Sequence, residues 1–299
     1  MSTLANLAKP PALQARPPRS PLTQSLLALR RDRMALAGLA LYLALVIAAL
    51  FADQLAPYNP TAIHMQDRLQ GPSTTYLLGT DELGRDLLSR LLLGARISMA
   101  VGLVSVGIGC TLGVMLGLIA GYRGGTLDTV IMRMLDGVLA FPSLILAMAI
   151  VSALGPNVFN AMIAIGVVSI PTFARITRGS VLSLREKEFV EAGRALGAGD
   201  LYLMFRVLLP NCLSPLLVQL SVGFSTAILT ESALSFLGLG VQPPTPSWGS
   251  MLDTGRKFLS QTPWYALTAG SAIFLAVLSL NLIGDGLRDA LDPRLRKKG

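Results

Sequence analysis

The chain has 299 residues, 52% of them hydrophobic and only 14% charged, with a mean hydropathy of +0.59. Soluble domains carry roughly 25% charged residues, so this chain has too little polar surface to cover itself in water, and the composition reads as an all-α polytopic membrane protein set in a lipid bilayer. A formal net charge of +8 would suggest nucleic acid for a soluble protein; here the placement of the charges matters more than their sum, and no nucleic-acid partner is expected.

Residues 1–29 are rich in Pro, Ser, Leu and Arg, hold no acidic residue, and read as a flexible tail. A signal peptide is not expected, because the first apolar run starts beyond residue 33 and no cleavage site follows it. Residues 30–299 read as one transmembrane domain. Six apolar runs approach the roughly 20 residues that a helical span needs: 34–51, 97–120, 134–154, 158–174, 212–239 and 264–283. The fourth is the shortest and contains Pro171. With the N-terminus inside, nineteen of the 25 Lys and Arg fall on the inner side; the outer six are Arg68, Arg85, Arg90, Arg96, Arg256 and Lys257. That asymmetry places both termini in the cytoplasm.

The outer loop 52–96 ends in LLGTDELGRDLLSRLLLGARIS. Leu87, Leu88, Leu91, Leu92 and Ala95 fall at helical spacing opposite Arg85, Asp86 and Arg90, which predicts a helix lying on the outer surface before the chain turns inward. Asp86 and Arg90 have the i,i+4 spacing of an ion pair. In span two, Ser105, Gly109, Gly113, Gly117 and Gly121 recur every four residues and so share one helix face. Small residues let helix backbones approach in lipid, either within this chain or against another subunit.

The segment EAGRALGAGDLYLMFRVLLPN lies in the long inner loop 175–211. A first helix is predicted over about 184–196, with Phe189, Gly193 and Leu196 on one stripe. Gly197 takes the position after the helix end where a positive φ favours glycine. Asp200 fits the N-cap of a second helix, whose apolar face is Leu201, Met204, Phe205 and Leu208, and Pro210 suits the first turn of the next helix. Gly193, inside the first helix, permits close approach of another group.

Span five carries Ser214, Ser221, Ser225 and Ser232 on one face, Gln219, Thr226 and Thr230 on another, and Glu231 near its outer end. Ser and Thr commonly bond their own helix carbonyls, but a Gln and a Glu in an apolar run are costly against lipid. Span five is therefore expected to border a polar translocation pathway, with Ser221, Ser225, Gln219 and Glu231 as its candidates. The alternative for Glu231 is a place at the membrane interface. The loop GLGVQPPTPSWGSMLDTG that follows has no period, and its prolines forbid a helix.

Some chemistries lack their parts. No phosphate-cradling GxxxxGK[ST] or HExxH occurs, and the single histidine, His64, lies in an outer loop, so no catalytic residue is assigned. Cys110 and Cys212 have no metal-ligand spacing, and no metal site is expected. An ion-coupled secondary transporter would need intramembrane ionisable groups; Asp136, Glu231 and Asp285 are the candidates, and all lie near span ends.

Glu191-Ala192-Gly193, three residues, Gly197, nine residues, Val207, one residue, Leu209-Pro210 resembles the EAA loop of permease subunits in binding-protein-dependent ABC importers, departing at Gly193 and Val207. LGTDELGRDLLSRLLLGARIS, ESALSFLGLGVQPPTPSWGSML and LIGDGLRDALDPRL are similar to the second, C-type permease of dipeptide, oligopeptide and nickel importers. The resemblance runs from about residue 30 to the C-terminus. It implies a type I ABC importer permease fold of six transmembrane helices in a bacterial inner membrane. It implies as partners a second related permease, two ATP-binding subunits and an extracytoplasmic solute-binding protein. It leaves no cofactor on this chain, with ATP and Mg held by the ATPases. It makes Phe189, Glu191, Ala192, Gly193, Leu196, Gly197, Leu209 and Pro210 the ATPase-coupling surface. The implied cargo is di- or oligopeptides, with nickel chelates or glutathione-like molecules as alternatives.

Overall fold

A computed structural model describes residues 32–291; the tail expected over 1–29 lies outside the described residues. Within them the named elements are all helical. Helix α1 (Arg33–Leu50) starts where the Asp32 carboxylate accepts the Met34 and Ala35 amides at 2.8 and 3.3 Å, satisfying two donors that a helix start leaves bare. Helix α2 (Leu87–Arg123) has 37 residues, roughly 55 Å at 1.5 Å per residue. That exceeds the roughly 30 Å hydrocarbon core of a bilayer.

The outer surface helix and span two are thus one continuous rod rather than two elements at an angle. The expected Asp86–Arg90 pair is also absent. Asp86 caps α2, accepting from the Ser89 amide at 2.8 Å and its hydroxyl at 2.6 Å. The chain turn over residues 64–86 buries Asp81, and a buried carboxylate needs cationic or hydrogen-bonding partners. Arg85 Nε donates to it at 2.6 Å and Arg90 Nε lies 3.2 Å away.

The third apolar run is not one straight helix. Helices α3 (Gly125–Leu139) and α4 (Ser143–Leu154) meet at 88°. Pro142, which has no N–H to continue a helix, stands at the start of α4. Helix α5 (Val158–Leu184) runs past residue 174 and contains Pro171 without ending there. Helix α6 (Glu188–Ala195), α7 (Leu213–Phe236), α8 (Trp248–Lys257) and α9 (Pro263–Leu291) complete the chain. Helix α8 stands inside a segment expected to be loop. The prolines end at Pro246, and Ser247 then caps α8 through a reciprocal bond pair with Ser250 at 3.2 and 3.1 Å. Among the described residues five helices are long and apolar enough to cross a membrane, six if the bent pair α3–α4 is counted as one span.

Packing follows the small residues. A Cβ added at Gly109 would lie 1.9 Å from Ser169 Oγ, at Gly113 2.6 Å from Phe173 Cβ, at Gly117 2.3 Å from the Ala174 carbonyl, and at Gly121 2.9 Å from Val181 Cβ. All four contacts are on α5, so the ladder serves packing within the chain. Ser105, one turn up, donates to the Met162 carbonyl at 3.0 Å. On the other side, Gly38 of α1 sits on Ser279 and Leu282 of α9, and Gly284 of α9 sits on Ser221 of α7. The bundle has two ends. The cap end holds residues 52–86, α8 and the buried Trp248, whose indole N–H donates to the Leu91 carbonyl at 3.0 Å. The hairpin end holds α6.

Candidate coupling hairpin and pathway

The hairpin begins where α5 stops at Leu184. Arg185 then turns back, its guanidinium donating to the Gly121 carbonyl at 3.0 Å. Helix α6 has Glu188 and Glu191 in its first turn and Arg194 in its last, matching the sign of the helix dipole at both ends. It closes with Gly197 N–H to the Arg194 carbonyl at 2.9 Å and Ala198 N–H to the Gly193 carbonyl at 3.0 Å, the bond pair of a Schellman motif. Gly197 has φ +82°, as the spacing predicts. A Cβ added at Gly193 would lie 3.0 Å from Leu203 Cδ2, so the second leg supplies the group whose approach Gly193 permits.

That leg is composite: α-helical at Asp200–Tyr202, π-helical at Leu203–Leu208 and α-helical at Leu209–Asn211. The wider π turn shifts the phase of the side chains. Leu203, Met204 and Leu208 are buried, whereas Leu201 is 72% and Phe205 37% exposed, so Leu201 and part of Phe205 leave the apolar face that an α period assigns them. Pro210 stands in the first turn of the last piece. Asp200 does not cap the leg; Gly199 holds that position. Its carboxylate instead accepts from the Tyr122 hydroxyl at 2.7 Å and faces Arg123 Nη2 at 3.2 Å, both at the end of α2. The Arg194 guanidinium lies 5.5 Å from the centre of the Tyr122 ring.

On the outer surface of the hairpin, Phe189 is 46% and Leu196 88% exposed, with Glu191 and Ala192 beside them also exposed. Val190, between them in sequence, is fully buried. The hairpin thus presents an exposed Phe and an exposed Leu on an otherwise polar surface.

Between α2, α3, α4, α5 and α7 lies a cavity of about 470 Å³. Its polar lining is Ser105, Ser143, Ser169, Thr172, Gln219, Thr226 and Thr230, with no charged side chain. Thr226 and Thr230 donate to the carbonyls of Val222 and Thr226, and Ser169 to that of Gly166, so their donors are already used. Gln219 lines this cavity and a second one of about 430 Å³ toward the hairpin end, shared with Ser214 and Arg288. Ser221 and Ser225 are placed elsewhere. They are buried, donate to the Val218 and Ser221 carbonyls, and Ser221 faces Gly284 of α9. Glu231 is fully buried at the cap end, accepting from Ser235 at 2.8 Å and Ser98 at 3.3 Å; it clasps α7 to α2 and lines neither cavity.

Three features escape the sequence reading: the Tyr122–Asp200 contact, the bend at Pro142, and a bidentate pair at 2.5 and 2.6 Å that joins Arg178 of α5 to Asp128 of α3. The available signal for the first was an aromatic and an arginine at the end of an apolar run, followed by Gly124-Gly125.

A family model described as the binding-protein-dependent transport system inner membrane component matches residues 113–297, and one described as the N-terminal TM domain of oligopeptide transport permease C matches residues 20–72. The chain is 48% identical to the di/tripeptide transport system permease protein DppC of Pseudomonas aeruginosa, over 93% of each chain. It is 46% identical to the dipeptide transport system permease protein DppC of Alkalihalophilus pseudofirmus, over 93% of this chain and 91% of that one. It is 43% identical to the glutathione transport system permease protein GsiD of Pectobacterium atrosepticum, over 98% and 97%. Among solved structures, an inward-facing form of the MetNI methionine ABC transporter aligns with a TM-score of 0.56 at 20% identity, covering 68% of this chain and 96% of that one; this likeness is one of fold.

Proposed function

We propose a peptide-import function for this chain, which belongs to the binding-protein-dependent transport system inner membrane component family and is a C-type permease of an ABC importer. It is a multi-pass membrane protein, and its family consists of permease subunits rather than enzymes. In the proposed assembly it pairs with a second permease, two ATP-binding subunits hold ATP and Mg, and an extracytoplasmic binding protein delivers di- or oligopeptides. Both termini and the hairpin face the cytoplasm, by the distribution of Lys and Arg.

The observation behind this reading is the hairpin's position. It is covalently joined to α5 and α7, and those two helices wall the uncharged cavity. An ATPase gripping Phe189, Glu191, Ala192 and Leu196 would move the ends of both walls when it closes on ATP. The shift in conformation is limited to the difference in binding energy between the two states. The Schellman closure at Gly197 fixes the angle between the legs, so a push on α6 reaches Leu209-Pro210 and α7 without being absorbed by a soft turn. Gln219 is the pathway candidate that the cavity geometry favours.

The test is reconstitution of the complete importer in vesicles with a labelled dipeptide outside. ATP-dependent accumulation that survives collapse of ion gradients supports the reading; accumulation that follows the gradients instead would replace it with a secondary transporter. Competition by glutathione or a nickel chelate, each at equal concentration, separates peptide from the alternative cargoes.

A further inference from the structure

We propose that Tyr122 and Asp200 form a strap that transmits hairpin movement to α2, a helix to which the hairpin has no direct covalent link. The inference rests on the coupling role given above. The hairpin is continuous with α5 and α7 only. Helix α2 contributes Ser105 and Val106 to the same cavity wall, and it meets α5 through the glycine ladder. The glycines hold the two helices close, with Phe173, Thr177 and Val181 of α5 seated over them. The Ser105 hydroxyl ties α2 to the Met162 carbonyl of α5 and Arg185 ties the base of the hairpin to the Gly121 carbonyl, but neither reaches the second leg, which needs a tie of its own.

The last turn of α2 supplies it. The Tyr122 hydroxyl donates to one Asp200 oxygen at 2.7 Å and Arg123 faces the other at 3.2 Å, so both oxygens are engaged on α2. Arg194 of the first leg lies over the Tyr122 ring, and one aromatic side chain therefore touches both legs. Tyr122 is 8% exposed, which holds its hydroxyl in one place. Gly124 and Gly125, at φ +66° and +60°, follow at once, so the strap sits at the last point where α2 is a helix. Asp200 is a positioning residue whose carboxylate is spent on this contact rather than on capping its own leg.

The experiment uses the complete reconstituted importer and reads peptide transported per ATP hydrolysed. Tyr122→Phe keeps the ring and removes only the hydroxyl. Tyr122→Phe and Asp200→Ala should each lower that ratio at least threefold while ATP hydrolysis persists. Adding Tyr122→Phe to Asp200→Ala should change nothing further, because the acceptor of the Tyr122 hydroxyl is already gone. An unchanged ratio in either single variant, or losses that multiply in the double variant, would overturn the strap. Gly197→Val is measured alongside. If it uncouples and the strap variants do not, the strap alone fails; if it too leaves the ratio intact, the coupling role of the hairpin fails and the strap with it.

Discussion

Replacing Gly117 with alanine tests the packing that places α2 against α5. The new Cβ would stand 2.3 Å from the Ala174 carbonyl and 2.8 Å from Thr177 Cβ, where ordinary contact begins at 3.4 Å. Neither neighbour is the free end of a flexible chain, so the helices must part by about 1 Å, and a gap of that size forfeits about a quarter to a half of each dispersion contact it opens. Overpacking of this kind costs about 1–3 kcal/mol. Alanine also raises helix propensity by about 1 kcal/mol, which would mask part of the loss. Gly107 provides the correction: it lies on the same helix, and an added Cβ there meets nothing within 4 Å. Gly107→Ala receives the propensity gain alone, so the difference between the two variants isolates the clash at about 1–3 kcal/mol. Thermal unfolding of the purified chain in one detergent should place Gly117→Ala several degrees below Gly107→Ala. Equal midpoints would mean that the two backbones are not in contact, and the fold described above would be wrong at its largest interface.

Gly197→Val should insert normally in the membrane, because the strained position lies in the hairpin; the side chain costs about 1 kcal/mol or more at a positive φ, and uptake per ATP should fall. Single cysteines at Gln219 and Thr226 should react with a water-soluble maleimide, whereas those at Ser221 and Ser225 should not; fast labelling at Ser221 would move the pathway to the α9 side of α7. Asp128→Asn should lower stability by about 1.5–3 kcal/mol through loss of charge-assisted bonds to Arg178, and adding Arg178→Met should recover part of that loss. A double variant less stable than Asp128→Asn would show that the two residues do not act as a pair.

The long apolar runs are legible because a bilayer demands a continuous stretch of apolar side chains, and each run in 34–283 does contain a helix. What the runs hide is where a helix begins. Hydropathy stops at the membrane surface, but the hydrogen-bond ladder does not, so α2 starts at Leu87, just after the Asp86 cap and ten residues before its apolar run at 97. The hairpin is legible for the opposite reason. Gly197 and Pro210 each answer a local backbone requirement, and local requirements are written in the sequence, while Gly193 answers a contact from a leg only ten residues away. Asp200 misleads because an N-cap and a tertiary acceptor use the same carboxylate, and only the folded position of Tyr122 decides between them. The face of α7 that borders the cavity is ambiguous for a similar reason: Ser221, Ser225 and Thr226 all bond helix carbonyls, so polarity alone does not tell a wetted hydroxyl from a buried one.

The neutral lining of the larger cavity constrains how any zwitterion could cross. A free peptide has an ammonium at one end and a carboxylate at the other, and stripping either of solvent costs several kcal/mol when no opposite charge awaits it. This wall offers none, and several of its hydroxyl protons already point at helix carbonyls. On the import reading proposed above, a peptide passing this wall would have to bring its hydration shell along, and this face would act as a wet vestibule blind to cargo charge. Sorting one peptide from another would then fall to groups that lie outside this wall.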